Sequence, residues 1–310
     1  MTKLPNKEFR QLVVVMREKE FYEPEQKREI NWPAYNKTQT EDAIKRMNFI
    51  KIEVDKAEQI LLKGKCGKPL TNPKSLAKAV LASEAFGYTE RSSQGWMQIL
   101  SPYLQINEWL DDRTIGDAYD KPEVLFILNQ IFNTTKTSDG KLSGDGTGLE
   151  TSRKENYEST KKSGDYLTSI VDSREIVQAF DASGIHESKA MHKLIELVYG
   201  DSLRLDAGFN DRKLVKRIAE RGIIPFVFPK KNNNLNGSSA WKNMYLDLFM
   251  DVMQWLTEYH IRSHSESFHS SFKSRFGIIT KHRGAAKLCQ VTARIIIHNS
   301  RRLDYYNSLN

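Results

Sequence analysis

The sequence predicts a mixed α/β domain preceded by an all-helical region, on three observations. Residues up to 133 read as several short helices separated by tight-turn residues. A polar, glycine-containing stretch at 134–144, TTKTSDGKLSG, then interrupts the pattern. Beyond it, short β-type runs alternate with helical stretches, as in a sheet covered by helices. The expected domains are therefore residues 1–134 and residues 140–310.

In the first part, Thr40 followed by Glu41 and Asp42 opens an amphipathic stretch that reaches residue 63 and closes at Gly64 and Gly67. Pro73 marks the next helix start, and 75–86 is a compact apolar helix ended by Gly87. Residues 91–100, 112–119 and 122–132 supply three more helices. Such short helices suit a helix-turn-helix DNA-binding unit. They suit a plain helical bundle equally well, because no basic recognition face stands out among them. In the second part, 166–171 and 176–180 are β-type runs joined by a tight turn. A helix at 187–199 follows, then a strand at 202–205 that ends in Asp206. A helix at 211–221 capped by Gly222 leads to a strand at 223–228 stopped by Pro229. Residues 230–240, KKNNNLNGSSA, read as a polar loop, and a long helical region runs from Trp241 to about residue 275.

Composition narrows the class. The chain has 310 residues, 39% hydrophobic and 28% charged, which suits a globular protein and argues against wholesale disorder. No run approaches the roughly 18 apolar residues that a membrane helix needs. The first ten residues lack the apolar core of a secretory signal. The two cysteines, Cys66 and Cys289, form no C-x-x-C pair, so a disulfide framework or a cysteine zinc site is not expected. An intracellular protein is expected. The net charge of +8 is uneven: residues 211–310 carry 17 bases and 7 acids, and residues 1–210 are slightly acidic. Beyond Glu266, eight bases face one acid, Asp304. A basic C-terminal third suits a polyanion partner, most simply nucleic acid, and suits a solvated surface as well.

Three acids stand out by position. Asp145 lies in SGDGTGLE after the polar stretch, Asp206 in LRLDAGFND at a strand end, and Glu266 in HSESFHSSFK within the last helical region. Acids at strand ends flanked by glycine are placed to meet over one edge of a sheet. Three converging carboxylates are a common way to hold Mg²⁺, a hard ion that prefers oxygen. Two such ions can activate an attacking oxygen and stabilise the leaving one. Taken singly, each acid reads as a cap or turn residue. The region around Glu266 is more informative. At about 100° per residue from Tyr259, Arg262 falls near −60°, Glu266 near −20° and Lys273 near −40°. Ile261, Phe268 and Phe272 fall on the opposite side. A carboxylate flanked by two cations in register suits metal and phosphate together. An intrahelical Arg262–Glu266 pair is the plainer explanation.

Tyr259-x2-Arg262-x3-Glu266-x6-Lys273 resembles the YREK signature of bacterial and archaeal insertion-sequence DDE transposases. DGTGLE around Asp145 and LDAGFND around Asp206 are similar to that family's first and second aspartate motifs. AFGYTERSSQGW and LDDRTIGDAY resemble the helical segments that precede its catalytic domain, so the likeness runs from about residue 75 to the C-terminus. The resemblance implies an RNase H-like catalytic domain with its first aspartate on the first strand, and so a strand at 141–143. It implies that Asp145, Asp206 and Glu266 are the catalytic triad and bind two divalent ions, Mg²⁺ or Mn²⁺. It implies that Tyr259, Arg262 and Lys273 contact phosphates of the transposon end. Double-stranded DNA, as terminal inverted repeats and as target, is then the partner, with a homodimer in the synaptic complex. Neither a membrane nor a nucleotide cofactor is expected, and the location is cytoplasmic, with the nucleoid of a prokaryote. Some relatives carry a β-rich insertion between the second aspartate and the glutamate. Residues 229–240 leave room here for a loop only.

Other signals lead elsewhere. His260 and His264, spaced i, i+4, fall away from the Glu266 face, and no H-E-x-x-H is present. His186 and His192 read as structural. GDGTG lacks both the P-loop and the dinucleotide-binding form, and no G-x-S-x-G elbow occurs. Arg153 and Lys154 follow the first aspartate and read as a solvated loop. Trp241 could stack on an unpaired base, but a tryptophan that opens an amphipathic helix is more often core. The reading is a DNA transposase that binds insertion-sequence ends and catalyses strand cleavage and transfer. An RNase H-like nuclease without strand transfer and a domesticated DNA-binding regulator are the rivals. A mobile element should show imperfect inverted repeats that bracket the gene inside a short direct duplication. Sequencing the flanks checks this, and unrelated flanks favour a rival.

Overall fold

The computed structural model describes residues 6–17, 30–60, 70–150 and 165–309. The expectations for Gly64, Gly67, Cys66, Arg153 and Lys154 lie outside the described residues. Seven helices come first: α1 (Asn6–Val15), α2 (Trp32–Thr40), α3 (Asp42–Lys56), α4 (Pro73–Phe86), α5 (Glu90–Leu104), α6 (Asp112–Ala118) and α7 (Pro122–Thr135). Strands β1 (Lys141–Leu149), β2 (Asp165–Val171) and β3 (Val177–Asp181) follow. Then come α8 (Glu187–Leu194), β4 (Ser202–Leu205), α9 (Arg212–Glu220) and β5 (Ile224–Val227). The chain continues through α10 (Ser239–Met250), α11 (Val252–His260), α12 (Ser263–Phe276) and α13 (Gly284–Asn307).

Local chemistry sets these boundaries. Asn72 caps α4 by accepting from the Lys74 N–H, and Pro73 occupies a position where its missing N–H costs nothing. Gly87 ends α4 in the left-handed region, at φ +71°, which a side chain rarely adopts. Thr89, Asp111 and Asp211 cap α5, α6 and α9 in the same way.

By contact the chain divides into two units, interleaved along the sequence. The first takes the described residues of 1–29, 138–147 and 166–270, and the second those of 30–137, 148–165 and 271–310. The first unit holds a five-stranded mixed sheet in the order β3-β2-β1-β4-β5. β2 and β3 are antiparallel, and β4 is parallel to both β1 and β5. Side chains alternate between its faces. One face is apolar: Leu142, Leu203 and Leu205 join Met191 and Leu194 of α8 and Leu214, Val215 and Ile218 of α9 in the core. Gly144 sits on this face because a Cβ there would come within 2.8 Å of both Leu205 and Met191. Phe9, Val13 and Met16 of the N-terminal segment belong to the same core, and Phe9 meets Tyr245 of α10 at 4.9 Å.

The other face carries Ser143, Asp145, Ser169, Arg204 and Phe226, under α11 and α12. Arg204 is 1% exposed. It donates from Nη2 to the Glu258 carboxylate at 2.7 Å, from Nε to the Glu258 carbonyl at 2.8 Å and from Nη1 to Ser202 Oγ at 2.5 Å. Its guanidinium also lies over the Phe226 ring. This arginine ties α11 to β4.

The second unit is a helical bundle in which α4 is almost wholly buried among α3, α7 and α13. Its interior holds a charged cluster. Arg294 donates to Glu84 at 2.6 Å, and Tyr119 and Gln290 also donate to that carboxylate. Cys289 is buried in α13, and burial pushes its thiol up to about 12, so it is inert as a nucleophile. None of the described helices is long and apolar enough to cross a membrane.

Three expectations are corrected. The long helical region from Trp241 is three helices. Asp251, at φ −147°, leaves α10, and its carboxylate accepts from the Gln254 N–H to start α11. A second break at Ile261 and Arg262 turns the chain into α12. The helix expected at 187–199 is α8 followed by a 3₁₀ turn at Ile195–Leu197. The strand implied at 141–143 extends to Leu149. Trp241 is core, 2% exposed, with its ring N–H donated to the Asn234 carbonyl at 3.0 Å. Glu258→Ala removes the counter-charge of a buried guanidinium and should cost about 3 kcal/mol of stability. Urea unfolding checks this, with Glu258→Gln expected to cost less because the amide still accepts a hydrogen bond.

Candidate active site

Asp145 is on β1, on the polar face, and Asp206 follows β4 directly. Because β1 and β4 are parallel neighbours, with Gly144 opposite Leu205, Asp145 within β1 and Asp206 just beyond β4 follow side by side. The Asp206 carboxylate caps the short turn Ala207–Phe209, accepting from the Gly208 N–H at 2.7 Å and the Phe209 N–H at 3.3 Å. Glu266, in the first turn of α12, is exposed and accepts from Arg262 at 2.6 Å. The three carboxylates are close enough that Asp206 and Glu266 both act on the charge of Asp145.

Burial, then repulsion from Asp206 and Glu266, pushes the Asp145 carboxyl up to about 6, against the opposing Gly146 N–H and Arg262. His269 lies beside it, Nδ1 3.9 Å from Asp145 Oδ2, and its Nε2 is 2.9 Å from Ser169 Oγ on β2. Arg262 is held raised above its usual range: burial opposes its charge, but Tyr259 and Glu266 favour it more.

The four residues expected on one helix face are divided. Tyr259 ends α11, Arg262 lies in the turn, and Glu266 and Lys273 are on α12. Tyr259 is buried, 4% exposed, with its ring stacked on Trp255 at 5.2 Å and against Phe228 at 5.1 Å. It is not part of a solvent-facing stripe; the Arg262 guanidinium sits 5.8 Å above its ring. Glu266 and Lys273, seven residues apart on α12, are both exposed and in register. Phe268 and Phe272 are buried, as the expected apolar side requires.

Sequence reasoning missed His269, Ser169 and Arg204. His269 follows Glu266 by three residues, a spacing that places it one turn away, but a histidine next to Phe268 gave no separate signal. His192 pairs with Asp211 at 2.9 Å, and His186 caps α8 through Nδ1.

The family model for the transposase DDE domain matches residues 136–300, which is more than half of the chain. The chain belongs to the transposase DDE-domain family. No curated protein and no solved structure matches it. Membership, with the sheet order β3-β2-β1-β4-β5, makes the sheet unit RNase H-like. It also gives the general class: an enzyme of the nuclease and transposase kind, of a family whose substrate is DNA and whose members generally use divalent metal ions.

The residues fit such an ion in donor chemistry. All three acids offer hard oxygens, and a cation among them would relieve the repulsion that raises Asp145. Among the described residues no three His, Cys, Asp or Glu side chains stand close enough to cage an ion. Arg262 holds the Glu266 carboxylate, so that side chain has to turn inward to complete a site. The raised Asp145 has a consequence for stability. The folded protein holds this proton up to about pH 6, whereas the unfolded chain releases it near 3.8. Its contribution therefore favours the fold at acidic pH and turns unfavourable as pH rises through 6. In EDTA, Asp145→Asn should raise stability by about 1–3 kcal/mol at pH 8 and leave it unchanged at pH 4. Thermal melts at the two pH values check this.

Proposed function

We propose that the protein is a DNA transposase of the YREK type that cleaves the ends of its element and transfers them to target DNA. The observation that carries the reading is the approach of Asp145, Asp206 and Glu266 from β1, the end of β4 and α12, within the matched family domain. Two further carboxylates acting on a raised aspartate are expensive unless a cation neutralises them. Asp145, Asp206 and Glu266 would hold two divalent ions, Mg²⁺ or Mn²⁺. When bound, such ions neutralise charge on the scissile phosphate and activate the attacking oxygen.

The chain's own residues supply position. Arg262 and Lys273 hold backbone phosphates of the transposon end on either side of Glu266, with Tyr259 acting through Arg262 as the platform beneath its guanidinium. His269, fixed by Ser169, keeps the Asp145 carboxylate in one orientation. Phosphoryl transfer of this kind needs alignment and charge neutralisation rather than a protein nucleophile. Water attacks first and frees a 3′-hydroxyl, and that hydroxyl then attacks target DNA. The helices of residues 30–137 contact the inverted repeats, and two protomers bring two ends together.

The test is a nicking and joining assay on a duplex that carries the element's end. Asp145→Ala, Asp206→Ala and Glu266→Gln should each abolish metal-dependent nicking and leave DNA binding in place. Full activity in any of them removes the triad assignment. Nicking without joining to a second DNA identifies a nuclease instead. Arg262→Ala and Lys273→Ala should weaken end binding and lower its salt dependence by about one ion each.

A further inference from the structure

The family match begins at residue 136, yet the unit that holds the sheet takes in α1 as well. Phe9, Val13 and Met16, spaced i, i+4 and i+7, form one fully buried stripe that anchors α1 in the core. Its polar side chains do something more specific. They reach a single loop, residues 228–235, between β5 and α10. Arg17 Nη2 donates to the Pro229 carbonyl at 2.8 Å, with its guanidinium 5.1 Å from the centre of the Phe228 ring. Arg10 Nε donates to the Asn233 carbonyl at 3.3 Å. Asn6 Oδ1 accepts from the Leu235 N–H at 3.0 Å. The helix therefore grips the loop at its start, its middle and its end.

The same loop is bonded to the turn that follows Asp206. The ladder of β4 with β5 runs to the bond from the Phe228 N–H to the Leu205 carbonyl, so Asp206 stands just past it. Asp206 opens the short turn Ala207–Phe209, and Asn210 closes it. Asn210 Nδ2 donates to the Phe228 carbonyl at 3.1 Å and to the Tyr245 hydroxyl at 2.7 Å. That hydroxyl also accepts from Asn233 Nδ2 at 2.8 Å, and the Tyr245 ring is the one that Phe9 meets. Two residues further on, Arg212 donates to Asn234 Oδ1 at 2.6 Å. The turn is thus held by β4 at one end and by the loop at the other. A carboxylate beyond the end of a strand needs such a second hold, because a shift of about 1 Å at a reacting centre costs on the order of a hundredfold in rate.

We propose that α1 is a positioning strap for Asp206. Asn6, Arg10 and Arg17 fix the loop at 228–235, and the loop, through Tyr245 and Asn210, fixes the turn that aims the Asp206 carboxylate. The proposal rests on the reading of Asp206 as a member of the carboxylate triad. It gives residues 6–17 a part in the catalytic unit, apart from the helices of residues 30–137, and a part that lies outside the residues matched to the family. These side chains are positioning residues; the strap acts from the far side of the loop.

The experiment compares full-length wild type with Arg10→Ala/Arg17→Ala, Asn210→Ala and the combination of all three. Three quantities are read: the single-turnover rate of metal-dependent nicking of the element's end, Mn²⁺ binding from the free-ion electron paramagnetic resonance signal, and anisotropy on the same duplex in EDTA over a salt series. The arginine pair and Asn210→Ala should each lower the nicking rate and Mn²⁺ affinity about tenfold, with DNA affinity and salt slope unchanged. The combination should be about as slow as Asn210→Ala alone, because both changes cut one path. Arg10 and Arg17 are exposed, so if circular dichroism shows Asn210→Ala unfolded, the arginine pair carries the test through Mn²⁺ affinity. A rate that falls only with the folded fraction, beside wild-type Mn²⁺ affinity, makes the helix a plain structural support and overturns the proposal. So does a combined loss equal to the product of the separate ones. A salt slope lower by about two in the arginine pair, with Mn²⁺ affinity unchanged, makes the arginines DNA contacts and overturns it as well. A wild type that neither binds Mn²⁺ nor nicks overturns the triad reading and the strap together, whereas a wild type that does both leaves the variants to decide the strap alone.

Discussion

A guanidinium buried beside a sheet must bring its partners with it, and Arg204 does so in the unit that holds the triad. It projects from β4 two residues before Asp206, and its partners are both the carboxylate and the carbonyl of Glu258. That pairing pins the last turn of α11 over the polar face of the sheet. Tyr259 follows at once and wedges against Trp255 and Phe228. The chain turns at Ile261 and Arg262, and Glu266 enters α12 one turn later. The position of Glu266 relative to Asp206 therefore depends on a tie between residues two and eight positions upstream of the two acids. An ion pair of this kind adds little net stability, since desolvation offsets much of its attraction. Its value here is specificity of placement.

The sheet explains how a cluster of charge survives in a small core. Its two faces divide the labour by alternation. Leu142, Gly144, Leu203 and Leu205 close against α8 and α9, while Ser143, Asp145, Ser169 and Arg204 face α11 and α12. Asp145 shares its face with hydroxyls and a histidine rather than with aliphatic side chains, and still its carboxyl rises to about 6, through burial and then the neighbouring acids. The electrostatic strain is local, because the apolar face supplies the packing that tolerates it.

The helical unit treats charge differently. Glu84, Arg294, Gln290 and Tyr119 form a closed set in which each buried group finds a partner. Asp42 and Arg46 of α3 pair with Arg301 and Asp304 of α13, two carboxylates against two guanidiniums. A closed set fixes helices to one another.

The sequence by itself determined the parts that local rules govern. Pro73 announced a helix start, Gly87 and Gly222 announced stops, and the strand ending at Asp206 fell where its apolar run and its acid placed it. The motifs around Asp145, Asp206 and Glu266 pointed to the family from which the site is argued. β1 was hardly legible, because close packing against Leu205 and Met191 puts glycine where a strand normally shows an apolar residue. Only the tertiary structure decided that the helical region after Trp241 breaks twice. Asp251 can continue a helix or cap the next, and the Ile261–Arg262 turn contains neither glycine nor proline. A helical wheel assumes one axis, so it placed Tyr259 beside Arg262 on a solvent face, whereas the turn sends the ring into the core and leaves the guanidinium above it. His269, Ser169 and Arg204 were invisible for the same reason. Their roles come from partners up to 100 positions away, and separations of that kind are set by packing rather than by any local pattern.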